Sequence, residues 1–137
     1  MSDEQARWRE ERRAAAAAHA EALERRRRAE SEQARRLIAD FLDRAREAGL
    51  APVPLRARSA DGARYRTPLQ GWYLRLDESI AIDTEGRFYL MRTPRSLVGR
   101  LRGVTPEPSD PPLVLGAGGK DGESIDIADA LARALAG

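Results

Sequence analysis

The stretch "LERRRRAESEQARRLIADFL", residues 23–42, decides the fold because it joins two unlike halves of one helix. No Gly or Pro occurs from residue 3 to residue 48, and that span is dominated by Ala, Arg, Glu and Gln, which are strong helix formers. Gly49 and Pro52 then supply stop signals. At 1.5 Å per residue the helix would be on the order of 70 Å long, which exceeds the diameter of a small domain.

The two halves of this helix differ in their apolar pattern. The second half carries an apolar stripe at helical spacing, formed by Ala34, Leu37, Ile38, Phe41, Leu42 and Ala45. Two turns before it, the same stripe meets Arg27 and then offers little beyond alanine. The sequence therefore predicts an anchored half over residues 34–48 and a projecting, charged, coiled-coil-like helical arm over residues 1–33.

The middle of the chain, residues 53–92, reads as an antiparallel sheet. Apolar and polar residues alternate on both sides of residues 60–62 and 84–86, two three-residue loops that each end in glycine. Odd loops of this kind keep apolar residues paired with apolar residues, so they predict two hairpins with Gly62 in the left-handed region. The segment "LQGWYLRLD" alternates as a half-buried strand does. Together these segments predict a meander of about five strands.

The rest of the chain completes a small α+β domain over residues 34–137. A short helix is expected over residues 94–102, with Thr93 as its N-cap and Gly103 after its end. A proline-rich loop (104–112), a strand (113–116) and a C-terminal helix (124–136) capped by Ser124 follow. The predicted fold is a long N-terminal helix, packed at its C-terminal half on a small antiparallel β-meander, with a short helix and a C-terminal helix.

Composition narrows the classes of function. A chain of 137 residues is one small domain, and the lack of cysteine excludes disulfides, thiolate metal sites and a cysteine nucleophile. No run approaches the roughly 20 apolar residues that span a bilayer, and the charged start lacks the apolar region of a secretion signal. The sequence therefore predicts a cytoplasmic protein with no membrane partner.

Catalytic and cofactor motifs are nearly absent. His19, the sole histidine, lies in the arm, where no pocket can hold a partner base or a metal. The segment "GAGGKDGES" does not fit a phosphate-binding loop, because Asp121 follows Lys120 where a hydroxyl is required. We therefore predict no enzyme activity, no catalytic residue, no metal and no cofactor. A small-molecule enzyme would need a deep pocket with converging polar groups among Trp72, Tyr73 and Tyr89.

Arginines and one tryptophan are the candidate contact residues. Arg25 to Arg28 point to every side of the helix, and acids one turn away match most of them, which favours a solvated arm over a nucleic-acid footprint. The hairpin register places four further arginines on one face of the sheet. A lone aromatic near the arm's tip is a contact candidate. The candidates for contact with a partner or with phosphate are Trp8, Arg25, Arg26, Arg27, Arg28, Arg35, Arg36, Arg56, Arg58, Arg64 and Arg66.

Two functions remain open from the sequence. The first is a non-enzymatic interaction or scaffold protein, whose arm binds a protein partner or a second copy to form a homo-oligomer. The alternative is an RNA- or ribosome-associated factor that uses the arginine clusters of the arm and the first hairpin. The net charge of only +2 makes local patterning more informative than total charge. Salt dependence discriminates between the two, because binding to phosphates falls steeply as salt rises.

Overall fold

The first helix begins and ends at strong caps. In a computed structural model that describes residues 2–116 and 124–137, helix α1 spans Asp3–Ala48 without interruption. At its start the Ser2 Oγ accepts a hydrogen bond from the Gln5 backbone N–H (3.2 Å), and the Gln5 side chain accepts one from the Ser2 backbone N–H (3.4 Å). Gly49 ends it with a left-handed φ of 69°. The predicted long N-terminal helix is confirmed.

The buried residues of α1 all lie in its C-terminal half, on one side of the helix. Four of its side chains lie in the core: Ala34, Ile38, Phe41 and Ala45. The rings of Phe41 and Trp72 pack edge to face, with 5.3 Å between their centroids. Every described residue before position 30 is exposed. We call residues 3–29 the arm; it ends earlier than the expected residue 33 because Ser31 is buried. The main core comprises Ala34, Ile38, Phe41, Ala45, Leu74, Ile80, Ile82, Phe88, Leu115, Ile127, Ala130 and Leu131.

The sheet is a four-stranded antiparallel meander. Its strands are β1 (Val53–Arg58), β2 (Arg64–Tyr73), β3 (Ile80–Asp83) and β4 (Phe88–Leu90), in the order β1-β2-β3-β4. Both predicted hairpins are confirmed, with left-handed φ angles of 88° at Gly62 and 85° at Gly86. Their registers match the sequence pattern: Arg58 pairs with Arg64 and Ile82 pairs with Phe88.

The sheet has four strands rather than about five. The second strand of the first hairpin and the strand predicted in "LQGWYLRLD" form one continuous strand, β2. Strand β2 continues past Pro68 through a bulge, in which Leu55 of β1 faces three residues of β2. There the Thr67 hydroxyl donates a hydrogen bond to the Leu55 carbonyl (2.6 Å). A bulge tolerates proline, because no ladder hydrogen bond is required from its missing N–H. The bulge therefore allows β2 to continue past Pro68 as a single strand.

The sheet also curls, so that the chain after β4 lies beside β1. The Arg58 backbone N–H donates to the Met91 carbonyl (2.8 Å), and the Thr93 N–H donates to the Arg58 carbonyl (3.0 Å). This curl surrounds a second core, formed by Leu55, Ala57, Tyr65, Ala81, Tyr89 and Met91. The main core lies between the sheet and the helices.

The two remaining helices start later than expected. Helix α2 spans Leu97–Arg102, and its N-cap is Ser96, whose Oγ accepts the Gly99 N–H (3.0 Å). The expected cap, Thr93, is instead held beside β1 by its bond to the Arg58 carbonyl. Helix α3 spans Ile127–Ala136; Ser124 does not cap it, since β6 (Ile125–Asp126) first pairs with β5 (Val114–Leu115). The α+β arrangement itself is confirmed. Lys120 and Asp121, compared above with a phosphate-binding loop, lie outside the described residues.

The buried Asp83 carboxylate organises the β3–β4 hairpin. Its Oδ1 accepts the backbone N–H groups of Glu85 and Arg87 (2.9 Å each), and its Oδ2 accepts the Tyr89 hydroxyl (2.9 Å) and Arg87 Nε (2.8 Å). Burial alone acts to raise the pKa of Asp83, but the hydrogen bonds from Arg87 and Tyr89 together outweigh it and hold that pKa below its usual value. The ionised form is therefore the one that the fold stabilises.

Replacing Asp83 by asparagine should lower the free energy of unfolding at pH 7 by on the order of 2–3 kcal/mol, because hydrogen bonds to a charged acceptor are lost. The folded pKa of Asp83 lies below the unfolded value, so its contribution is present above pH 3.8 and is lost as the pH falls through the folded pKa. The difference between wild type and Asp83→Asn in urea unfolding should shrink under acid conditions. Glu85→Gln, in the same turn but exposed, should change little. A wild-type advantage that is independent of pH would contradict this assignment.

Candidate interaction site

The arm is polar on all sides. It carries eight arginines and six acidic residues around an alanine-rich middle, residues 14–20. Its ion pairs join Glu10 to Arg13 (3.8 Å) and Glu21 to Arg25 (4.0 Å). Arg26, Arg27 and Arg28 form no ion pair with any residue that the structure describes. These three predicted contact residues are therefore exposed and free of ion pairs within the described part of the chain.

Trp8 lies near the free end of the arm with 57 % of its surface exposed. The Arg12 guanidinium, one turn later, lies 4.8 Å from the ring centroid, a distance suited to a cation–π contact. This contact covers part of the indole and restrains its rotamer. The remaining surface of Trp8 is available for binding.

The base of the arm borders a groove of about 690 Å³ against the proline-rich loop. Arg27, Arg28 and Arg35 line it, together with acidic residues of α1 such as Glu24. Arg35 forms a salt bridge with Asp110, which fastens the loop to α1. Arg36 is exposed and forms no ion pair with a described residue. The groove therefore carries both signs of charge.

The four arginines of the first hairpin share one face of the sheet, as their register requires: Arg56 is opposite Arg66 and Arg58 is opposite Arg64. Glu78 binds two of them, accepting hydrogen bonds from Arg58 Nη2 (2.9 Å) and from Arg64. Arg66 Nη2 donates instead to the Leu101 carbonyl (2.9 Å). The Arg56 side chain pairs with no described acid. Three of these four arginine side chains therefore already form hydrogen bonds within the fold.

Glu78 was missed because its partners lie 14 and 20 residues away in the sequence. Its φ of 62° is left-handed, which is unusual for a residue other than glycine. That conformation is the only local feature that marks the position, and it is not visible in the sequence. Among the described residues, no hydrogen bond or ion pair joins the first hairpin to the arm.

The apolar side chains of α2 point outward. Leu97, Val98 and Leu101 recur at helical spacing, and they are among the most exposed aliphatic residues described. The buried residue of this helix is Gly99. Helical spacing identifies which residues share a face, but it does not say whether that face packs on the protein.

The aromatic groups considered for a small-molecule site are divided between the two cores: Trp72 packs against the main core, and Tyr73 and Tyr89 belong to the second. The Tyr89 hydroxyl is bonded to Asp83, and the Tyr73 hydroxyl accepts the Arg56 backbone N–H (2.8 Å). Burial raises the pKa of both tyrosines, and for Tyr89 the bond to Asp83 adds to that effect. The Trp72 Nε1 is buried without a partner among the described atoms. The polar atoms of Tyr73 and Tyr89 are therefore engaged in structural bonds.

Two further properties limit the kinds of site present. Within residues 2–116 and 124–137, no group of three or more His, Cys, Asp or Glu side chains is placed to hold a metal ion. In the same residues, no helix combines the length and the apolar character needed to cross a membrane.

The geometry defines a class of protein: an α+β domain that carries one exposed helical arm and two surfaces rich in arginine. Searches with protein-family models, among proteins of curated function and among solved structures found no match to this chain.

Proposed function

We propose that this chain is a non-enzymatic interaction protein, in which the arm binds a protein partner or a second copy of the chain. The observation that carries the proposal is that every described residue up to position 29 is exposed, although the helix continues directly into a buried half. At 1.5 Å per residue the arm extends roughly 40 Å beyond its anchored half. It contributes almost nothing to the core, so its role lies in contact with another molecule.

The arm's surface suits a helical or extended partner. The alanines of residues 14–18 allow the backbone of a partner helix to approach closely, because the distance between helix axes depends on the side chains at the contact. Trp8 offers a large aromatic contact near the free end, and aromatic and arginine residues are enriched at binding hot spots. The arm is also ordered in advance by its capping box and by its continuity with the anchored half, which lowers the entropic cost of binding.

Deleting residues 1–29 from the full chain should remove the interactions that the arm makes while leaving the domain folded. Because the deleted residues contribute nothing to either core, the thermal midpoint should change by less than about 3 °C. Affinity purification with mass spectrometry should show a shortened partner list, or light scattering should show a smaller oligomer. Trp8→Ala, a single change in the full chain, should weaken the same interaction. If the deletion alters neither partners nor oligomeric state, the arm is not the interaction element.

RNA binding is the second candidate, and the unpaired Arg26, Arg27 and Arg28 favour it. Titration of the full chain with a generic single-stranded RNA at about 50 mM salt separates the two proposals. If phosphates are bound, the logarithm of the binding constant should fall linearly with that of the salt concentration, and replacing the three arginines by glutamine should flatten the slope. An absence of RNA binding at low salt would eliminate this candidate.

A further inference from the structure

Helix α2 holds its largest side chains away from the protein. Leu97, Val98 and Leu101 are 76 %, 63 % and 79 % exposed. Its contact with the sheet is made through Gly99, where an added Cβ would lie 2.9 Å from a Val104 methyl carbon and 3.2 Å from the Tyr65 ring. A surface helix normally buries its apolar side, because burial of that side stabilises the fold. Here the helix packs through the residue without a side chain, so its aliphatic residues remain available.

Contacts at both ends fix α2 in this orientation. At its start, the Ser96 backbone N–H donates to the hydroxyl of the buried Tyr65 (3.0 Å). At its end, Arg66 Nη2 donates to the Leu101 carbonyl (2.9 Å), and the Arg66 carbonyl accepts the Val104 N–H (2.8 Å). Gly103 has a φ of 80° and packs so tightly on Arg66 that a Cβ would lie 2.7 Å from its carbonyl oxygen. The exposed apolar stripe is therefore preorganised, which favours binding.

Positive charge brackets the stripe on both sides. At about 100° per residue, Leu97, Leu101 and Val98 fill one arc of the helix, Arg100 and Arg102 flank that arc, and Gly99 lies opposite. Neither flanking arginine forms an ion pair with a described residue. The chain contains no Asp or Glu from residue 88 to residue 106. An apolar stripe with cations on both flanks matches a partner that has an apolar stripe with anions on both flanks.

We propose that the α2 surface, formed by Leu97, Val98, Arg100, Leu101 and Arg102, docks an acidic amphipathic helix of a partner protein. The partner's aliphatic side chains cover the stripe, and its flanking carboxylates pair with Arg100 and Arg102. Charges that flank an apolar seam choose the partner helix in this way in coiled coils. This surface lies on a different element from the arm, so the inference extends the proposed function from one binding surface to two.

Charge and size argue against the other occupants. Two copies of this surface facing each other would bring arginine against arginine, which is repulsive. A nucleic-acid strand would need exposed aromatic side chains for base stacking, and the nearby Tyr65 is buried. The three aliphatic side chains carry fewer carbons than one myristoyl chain, which by itself gives only marginal binding to a bilayer.

Fluorescence anisotropy tests the proposal with the full chain and a defined probe. The probe is a labelled synthetic helix of about 20 residues with Leu along one side and Glu on both flanks. Saturable binding is expected, and the affinity for the probe should fall by about tenfold in Leu97→Ser/Leu101→Ser. Leu76→Ser, which changes an 87 % exposed leucine elsewhere, should leave binding unchanged. These variants keep the arm intact, so their outcome is independent of the arm deletion.

A charge swap supplies the decisive comparison. Arg100→Glu/Arg102→Glu should lose the Glu-flanked peptide by about tenfold or more and gain binding to a peptide with Lys on both flanks. Gain of binding cannot result from misfolding. The proposal is overturned if the wild-type chain binds both peptides equally or neither. It is also overturned if Leu97→Ser/Leu101→Ser instead abolishes binding to phosphatidylglycerol vesicles, which assigns a bilayer, or self-association in sedimentation, which assigns a second copy.

Discussion

Replacing Gly71 by alanine is expected to remove a large part of the protein's free energy of unfolding. Gly71 lies in β2, where it pairs with Val53 on one side and Asp83 on the other. An added Cβ would lie 1.9 Å from the Ile82 carbonyl oxygen and 2.7 Å from the Asp83 Cα. These are backbone atoms at the centre of the sheet, so relief requires β2 and β3 to separate. We expect a cost on the order of 4–5 kcal/mol, a large fraction of the roughly 5–15 kcal/mol by which a typical domain is stable.

Gly62→Ala is the matched control for this substitution. Gly62 has a left-handed φ of 88°, but nothing lies within 4 Å of an added Cβ. Its replacement should therefore cost only the conformational strain, about 1–2 kcal/mol. Circular dichroism during urea unfolding measures both variants. If Gly71→Ala is no less stable than Gly62→Ala, the close approach of β2 and β3 at this position is wrong.

Replacing Phe41 by alanine is expected to cost about 3–5 kcal/mol, because it removes a buried aromatic ring and leaves a cavity. Phe41 is the largest side chain by which α1 enters the main core, and it meets Trp72 edge to face. The same change should increase the exposure of Trp72 to water. Intrinsic tryptophan fluorescence should therefore shift to longer wavelength in the folded baseline.

Leu23→Ala provides the comparison on the same helix. Leu23 lies in the arm and is partly exposed, so its loss should change stability by less than about 0.5 kcal/mol. Measuring both variants by chemical unfolding compares the anchored half of α1 with the arm directly. Equal effects of the two substitutions would show that the division between the two halves is incorrect.

Elements with strong local signals could be predicted from the sequence. The long helix follows from the absence of Gly and Pro and from the stop at Gly49. The two hairpins follow from parity, because a three-residue loop that ends in glycine is required to keep apolar residues paired. In these cases the residues that determine the structure lie within a few positions of one another, so a short stretch of sequence is enough to predict it.

Features that depend on distant contacts could not be predicted. Strand β2 continues past Pro68 because a bulge forms there opposite Leu55, which lies on another strand. Thr93 is a reasonable helix cap by local rules, but its bond to the Arg58 carbonyl holds it beside β1, and the helix begins only at Leu97. The outward orientation of α2 depends on the fit of Gly99 against Tyr65, and the pairing of Arg58 with Glu78 depends on the curl of the sheet. Each of these requires the tertiary fold to be known.

The uninterrupted course of α1 has a mechanical consequence. With no hinge between the anchored half and the arm, each arm residue has a fixed azimuth about the helix axis relative to the sheet. An insertion of two residues near position 30 would rotate the free end by about 200°, whereas an insertion of seven would return it to within about 20°. A partner bound at Trp8, as proposed above, would therefore be held in one orientation around this axis relative to the sheet.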